Sequence, residues 1–264
     1  MMTVRSFRFV IRSLKGFWRE TLPIFGALEN FVYPLLLRAR LIFRELFPRS
    51  GNAFPSVTPA EVPVLVINLA KRSDRLRDVI ENLHSAGFVD VRVVEAIDGP
   101  QKYPNILRGH AANLGCTESH MAAVSENLRE GQPIAVCEDD NEFLASPEKI
   151  HMLIRVFLDS PHFDVLGLST RARGSKVQVS RDFHLVSWAM APSFYIAKPR
   201  ARRSLLSAYR ISVKRLRAQR RHGPFDQVWK ATQRYRLLFV RPVERVARQR
   251  ASHSDIQGKF FAGT

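Results

Sequence analysis

The chain has 264 residues, 45% hydrophobic and 25% charged, proportions that exclude wholesale disorder and fibrous repeats. Forty-one Lys and Arg against 24 Asp and Glu leave a formal net charge of +17, which points to phosphates, nucleic acid or an anionic membrane as partner. Two cysteines, Cys116 and Cys137, rule out a disulfide framework or a four-cysteine zinc site and fit a reducing compartment.

The charge is unevenly placed. Residues 1–50 carry a net +6, residues 198–250 a net +15, and the rest a net −4. A mildly acidic body is flanked by two basic segments, and any negative surface is expected to be met through those segments. The first, 1–50, has no apolar run near the roughly 20 residues that a membrane-crossing helix needs. Arg5, Arg8, Arg12, Lys15 and Arg19 fall on one helical face, with Phe7, Ile11, Leu14 and Trp18 on the other. Such a basic amphipathic segment suits a membrane interface, each arginine near an anionic leaflet contributing about 1 kcal/mol. It equally suits a helix packed on the protein's own body. Pro34, Pro48, Pro55 and Pro59, with Ser50-Gly51-Asn52, read as linker, most clearly over 51–60.

From 61 the pattern changes. Residues 61–69 form a short run rich in β-branched side chains, the mark of a doubly buried strand. Residues 71–83 place Leu76, Val79, Ile80 and Leu83 at helical spacing, and Gly87 ends that helix. Residues 91–97 are a second strand, closed by Asp98-Gly99. Strand, helix, strand predicts a parallel pair with a right-handed crossover, hence an α/β fold. Ligands in such sheets sit beyond the carboxyl ends of the strands, so Asn68, Arg72, Arg75 and Asp98 fall at a candidate mouth.

Met121, Val124 and Leu128 predict a helix that Ser119 or Thr117 would cap. Residues 133–137 are a third buried strand, running straight into Glu138-Asp139-Asp140. Carboxylates near an apolar strand are costly unless paired or bound to a cation. In an extended chain Glu138 and Asp140 project to one side and Asp139 to the other. Two hard oxygen ligands at a strand end suit Mg²⁺ or Mn²⁺; a solvated acidic turn capping the next helix is the alternative. The 200–221 run interleaves arginines with Leu205, Leu206, Tyr209, Ile211 and Leu216. With Tyr209 its one aromatic, base stacking is poorly served, which argues against nucleic acid.

These segments resemble glycosyltransferase family 25, which includes bacterial lipopolysaccharide and lipooligosaccharide glycosyltransferases and collagen galactosyltransferase domains. The resemblance runs over about residues 62–257. It rests on Val66-Ile-Asn-Leu69, Arg72-Ser-Asp-Arg75, Ala96-Ile-Asp-Gly99, Gly115-Cys116 with Ser119-His120, and Glu138-Asp-Asp140. Phe163 to Leu168, Tyr195-Ile196 with Ala201 and Leu205-Leu206, Pro224-Phe-Asp226 and Ser254-Asp-Ile256 follow in order.

The resemblance implies a GT-A type, Rossmann-like nucleotide-sugar-binding fold behind an N-terminal amphipathic helical segment. It implies transfer of a sugar, galactose in much of the bacterial branch, from a UDP-sugar to a glycan or glycolipid acceptor. Glu138 and Asp140 would hold Mn²⁺ or Mg²⁺, with Asp255 or His253 completing the shell. The donor side would comprise Asn68, Arg72, Arg75, Asp98, Ser119, His120 and Asp139. His120 reads equally as a hydrogen-bonded core histidine, and both cysteines as small buried hydrophobes. Asp226 is the first candidate for the acceptor base, expected to be strongly ionised among its cations, and Glu118 the second. The protein would sit peripherally on the inner face of the cytoplasmic membrane. The chain departs from the family at Ala189-Met-Ala-Pro-Ser-Phe-Tyr195, where a Gly-Thr step is frequent. That departure keeps open a non-catalytic glycan-binding or scaffolding relative.

Overall fold

The computed structural model describes residues 31–46, 57–126, 131–220, 223–254 and 259–261. The 5–19 stripe, most of the linker, and Asp255 lie outside the described residues, as does the His253 side chain.

The central feature is an eight-stranded mixed sheet in the order β2-β1-β3-β8-β5-β9-β7-β6. Its strands are β1 (Val64–Asn68), β2 (Val91–Glu95), β3 (Ile134–Glu138), β5 (Val165–Ala172), β6 (Lys176–Gln178), β7 (Phe183–Val186), β8 (Ala189–Ala197) and β9 (Phe239–Pro242). The expected parallel pair is present: β1 lies between β2 and β3, parallel to both. Beyond β3 the direction reverses, since β8 is antiparallel to both β3 and β5. A short β4 (Asn141–Phe143) pairs with β10 (Ala247–Gln249), and β11 (Ser252–Ser254) pairs with β12 (Lys259–Phe261).

Residue alternation on the central strands builds a core on each face. Val64 and Val66, Ala135 and Cys137, and Phe194 and Ile196 face one layer of helices. That layer contains α1 (Tyr33–Leu46), α2 (Ser73–Ser85) and α5 (Pro147–Asp159). Leu65 and Ile67, Ile134 and Val136, and Tyr195 and Ala197 face the other layer. There α4 (Arg108–Ser125), α6 (Pro199–Arg217) and α7 (Phe225–Tyr235) pack, while a single turn, α3 (Gly99–Lys102), leads into α4. Gly87 has φ +84 just beyond α2, and the Phe88 N–H donates to Leu83 O, so the predicted stop is made by a left-handed glycine.

Two expectations of local structure change. Pro34 is not linker; it stands in the first turn of α1, where its missing N–H costs nothing. Thr117 and Ser119 are not caps either, because α4 already begins at Arg108. Each is mid-helix and donates its hydroxyl to the carbonyl four residues back, Asn113 O and Gly115 O. The polar residues that mislead the capping pattern are buried ones with partners on other elements.

Many of the C-terminal cations turn inward rather than toward a partner. Arg200 Nε donates to Asp164 at 2.6 Å, Arg202 reaches the carbonyls of Val124 and Glu126, and Arg217 pairs with Glu118 at 3.1 Å. Lys198 is wholly buried, its ammonium on the carbonyls of Leu158 and Ser160 and over the Phe157 ring, and burial draws its pKa down to about 7. Part of the basic C-terminal segment is therefore engaged in internal contacts, while the chain keeps its formal net charge of +17.

Candidate functional site

A cavity of about 490 Å³ opens at the carboxyl ends of β1, β2 and β3, where the strand order places a ligand site. Ile67, Leu69, Ala96, Ile97 and Ala112 give it an apolar wall. Lys71, Arg75 and Arg108 bring cations, and Asp98, Glu138, Asp139 and Asp140 bring acids.

Close approach of α4 to the loop after β2 shapes this wall. A Cβ on Gly115 would lie 2.4 Å from Ile97 O, and one on Gly99 would lie 1.8 Å from Ala111 O. Only glycines let the helix backbone rest there. Ser119 ties the same contact by accepting from the Ile97 N–H at 2.9 Å.

The acidic triplet is held by different elements. Asp139 accepts from Asn68 Nδ2 at 2.8 Å and from Arg75 at 3.1 Å. Asp140 accepts from Gln249 Nε2 at 2.8 Å, and its Oδ1 is buried with no hydrogen-bond partner. Glu138 Oε1 lies 2.9 Å from His120 Nε2. Burial, reinforced by Asp139 and Asp226, pushes Glu138 up to about 8; burial and then Glu138 push Asp140 up to about 7. Asp139 is also raised, burial outweighing the opposing pull of Arg75 and Asn68. Three acids crowded at a strand end, with one buried oxygen unsatisfied, form a site short of positive charge.

The expected alternation does not hold here. All three acids line the cavity, because residues 139–140 form the turn into β4 and the strand period ends at Glu138. Asp139 therefore joins the cluster instead of pointing away.

His120 is fully buried between Tyr195, Tyr209 and Phe225, its Nδ1 3.4 Å from the Tyr195 hydroxyl. Burial takes its pKa down to about 3, so the ring is neutral at physiological pH. The sequence offered core histidine and substrate contact as alternatives; it is a hydrogen-bonded core residue that also forms part of the cavity wall. Cys116 sits one turn before it, and its sulfur, a His120 ring nitrogen and a Glu138 oxygen lie within 4.8 Å of one another. These three could hold a metal ion. The i, i+4 spacing of Cys116 and His120 puts both on one helical face, but Glu138 joins them only through the fold. Burial raises the thiol's pKa well above its ordinary value.

The other anticipated residues divide. Arg75, Asp98, Ser119 and His120 line the cavity, and Asn68 supports it through Asp139. Asp98 is paired with Lys71 at 2.7 Å. Arg72 is directed to Asp74, at 3.3 Å, and does not line the cavity. Glu118 is on another side of α4: the Tyr103 hydroxyl, Lys102 and Arg217 occupy its oxygens. Burial alone would raise its pKa, but those partners hold it below the ordinary value, which does not suit a base reaching an acceptor. Asp226, expected to be strongly ionised, instead has a raised pKa because burial outweighs its bonds from the Ala191, Gln227 and Asp226 N–H groups. It does not line the cavity, although its charge is felt by His120 and Glu138. Lys71, Arg108 and Gln249 line the cavity without having been singled out, and Gln249 arrives only through the pairing of β10 with β4.

No known family profile matches the chain, and no curated protein is similar to it in sequence. Among solved structures it is similar to mouse xyloside xylosyltransferase 1 in the apo form, at 11% identity and a TM-score of 0.35, over 77% of this chain and 79% of that one. A likeness so slight fixes neither fold family nor activity.

Proposed function

We propose that this chain is a glycosyltransferase of the family 25 kind, with a GT-A type fold, that moves a hexose from a UDP-sugar to a surface-glycan or glycolipid acceptor. The observation that carries the reading is the acidic triplet at the carboxyl end of β3, facing a cavity also lined by Lys71, Arg75 and Arg108, with Asp140 Oδ1 buried and unsatisfied.

The unsatisfied Asp140 Oδ1 and the Glu138 carboxyl fit a hard divalent cation, and Cys116 and His120 lie beside Glu138 as further ligand atoms. Glu138 and Asp140 offer carboxylate oxygens whose pKa values are raised by burial first and by neighbouring acids second. Bound there, Mn²⁺ or Mg²⁺ supplies positive charge that steadies a departing nucleoside diphosphate. The chain's own groups do the remainder. Arg108 lines the cavity and would meet phosphate oxygens as a charge-assisted donor, as would Lys71 on exchanging Asp98 for phosphate. Arg75 and Asn68 fix the Asp139 carboxylate and, with it, the turn that carries Asp140. His120 holds the Glu138 carboxyl from behind, and the apolar wall of Ile67, Ile97 and Ala112 keeps water from one side of the ligand.

The test is melting of the purified chain across a panel of nucleotide sugars, with and without Mn²⁺, followed by donor hydrolysis. A UDP-sugar should raise Tm only when Mn²⁺ is present, and donor should be hydrolysed slowly. Binding without hydrolysis would indicate a non-catalytic relative. No shift with any nucleotide sugar would overturn the reading.

A further inference from the structure

Helix α1 turns a mixed side inward, with Leu37 buried and Leu41 packed on the core. Its inward side carries arginines. Arg44, largely buried, donates to Asp164 at 2.6 Å and to the carbonyls of His162 and Arg236. Arg40 donates to the carbonyls of Gln233 and Arg234 at 3.0 and 2.8 Å. Leu37 is the one fully buried apolar residue of the helix.

The outward side is apolar. Phe31, Leu35, Ile42 and Leu46 recur at spacings of four, seven and four, hence on one face, and are 69%, 65%, 53% and 69% exposed. Val32 adds to the same side at 47%. An arginine-to-carboxylate clamp on the inside fixes which way this helix faces, so the apolar stripe cannot roll onto the core without breaking a buried ion pair.

We propose that this stripe docks the protein on the surface of an anionic lipid bilayer. Charge complementarity argues for that occupant. The chain carries a formal +17, and Arg38 on α1 is exposed at the edge of the stripe, with Glu45 as the one acid on the helix. Tyr33 and Tyr235, edge to face at 6.5 Å, belong to the inward side, where Arg234 donates to the Tyr33 hydroxyl at 3.1 Å. The residues leading into Phe31 supply Phe7, Ile11, Leu14 and Trp18 against five cations, the same pairing of apolar stripe and positive charge. No helix among the described residues is long and apolar enough to cross a membrane, so the contact is one of lying on the surface.

The experiment is co-sedimentation of the full chain with vesicles of phosphatidylcholine alone or mixed with phosphatidylglycerol. The wild type should bind the mixed vesicles, and Leu35→Asp with Ile42→Asp should lose at least about tenfold in affinity while melting as the wild type does. Should the aspartate pair fail to fold, Leu35→Ser with Ile42→Ser serves in its place. Failure of the wild type to bind overturns the proposal. So does unchanged binding by the pair, which would leave residues 1–30 as the sole anchor. A wild-type dimer that the pair converts to monomer, without lipid, would assign the stripe to a second copy instead. Because lipid binding is the readout, the outcome is independent of whether the donor reading survives; slow donor hydrolysis in free solution should be unchanged in the pair.

Discussion

Two clusters of buried acid in this molecule have opposite character. Asp164, with no exposure, receives Arg44 and Leu238 N–H on one oxygen, at 2.6 and 2.7 Å, and Arg200 on the other at 2.6 Å. Both oxygens are used, and the cluster ties α1 and α6 to the start of β5. The triplet at Glu138, Asp139 and Asp140 has Arg75 on the Asp139 carboxylate and Arg250 on the Asp139 carbonyl, and leaves Asp140 Oδ1 without a partner. A structural acid is compensated by its own fold. On the proposed reading an acid awaiting a ligand is not, and burial holds Glu138 and Asp140 up to about 8 and about 7.

That contrast is most sharply broken by exchanging charge at each place. Asp164→Asn should destabilise the protein by about 3–5 kcal/mol, since it leaves two buried arginines facing a neutral amide. Asp140→Ala should abolish transfer and the Mn²⁺-dependent rise in Tm, yet melt at or above the wild type without metal. If denaturant titration instead finds the two variants equally destabilised, the distinction between compensated and waiting acid is wrong.

A smaller effect should appear in pH dependence. Glu138 and Asp140 have folded-state pKa values near 8 and 7, above their unfolded values, so their protonated forms favour the folded state. Their contribution is complete below about pH 4 and is lost as pH rises through about 7 to 8. Metal-free wild type should therefore lose several degrees of Tm relative to Asp140→Asn across that range, and added Mn²⁺ should restore more at the alkaline end. Parallel melting curves for the two proteins at all pH values would contradict this.

The smallest effect concerns Ala191, whose φ of +45 is in the left-handed region, in the stretch where the chain departs from the resembling family. Its N–H bonds Asp226, which over-determines the conformation. Ala191→Gly should stabilise the protein by up to about 1 kcal/mol with turnover unchanged, measured by chemical denaturation and donor hydrolysis. A loss of stability would mean that the methyl group packs usefully.

Much of the α/β scaffold was legible before the structure. The β-branched runs at Val64–Asn68 and Ile134–Glu138 alternate onto two cores, and the glycine stop at Gly87 is where the pattern put it. Asp98, Arg75 and the acidic triplet fell at the carboxyl ends of the strands because position along a parallel strand is a local property. For Glu118, nearness in sequence says nothing of which side of α4 it occupies, and its partners Lys102 and Arg217 decide it; Arg72, just before α2, pairs with Asp74 and reaches Asp139 through its charge. Gln249 and the Cys116–His120–Glu138 cluster needed contacts between distant segments.

Periodicity, then, settled which residues share a face, the ends of the central strands, and the meeting of acids with a strand terminus, since all of these follow from backbone repeat and side-chain chemistry within a few positions. Which face turns inward was left to tertiary contacts. On α1 the pairing of Arg44 with Asp164, 120 residues away, helps turn a mixed side inward and leaves Phe31, Leu35, Ile42 and Leu46 exposed. A buried charge with a good partner fixes orientation in a way that no local repeat encodes.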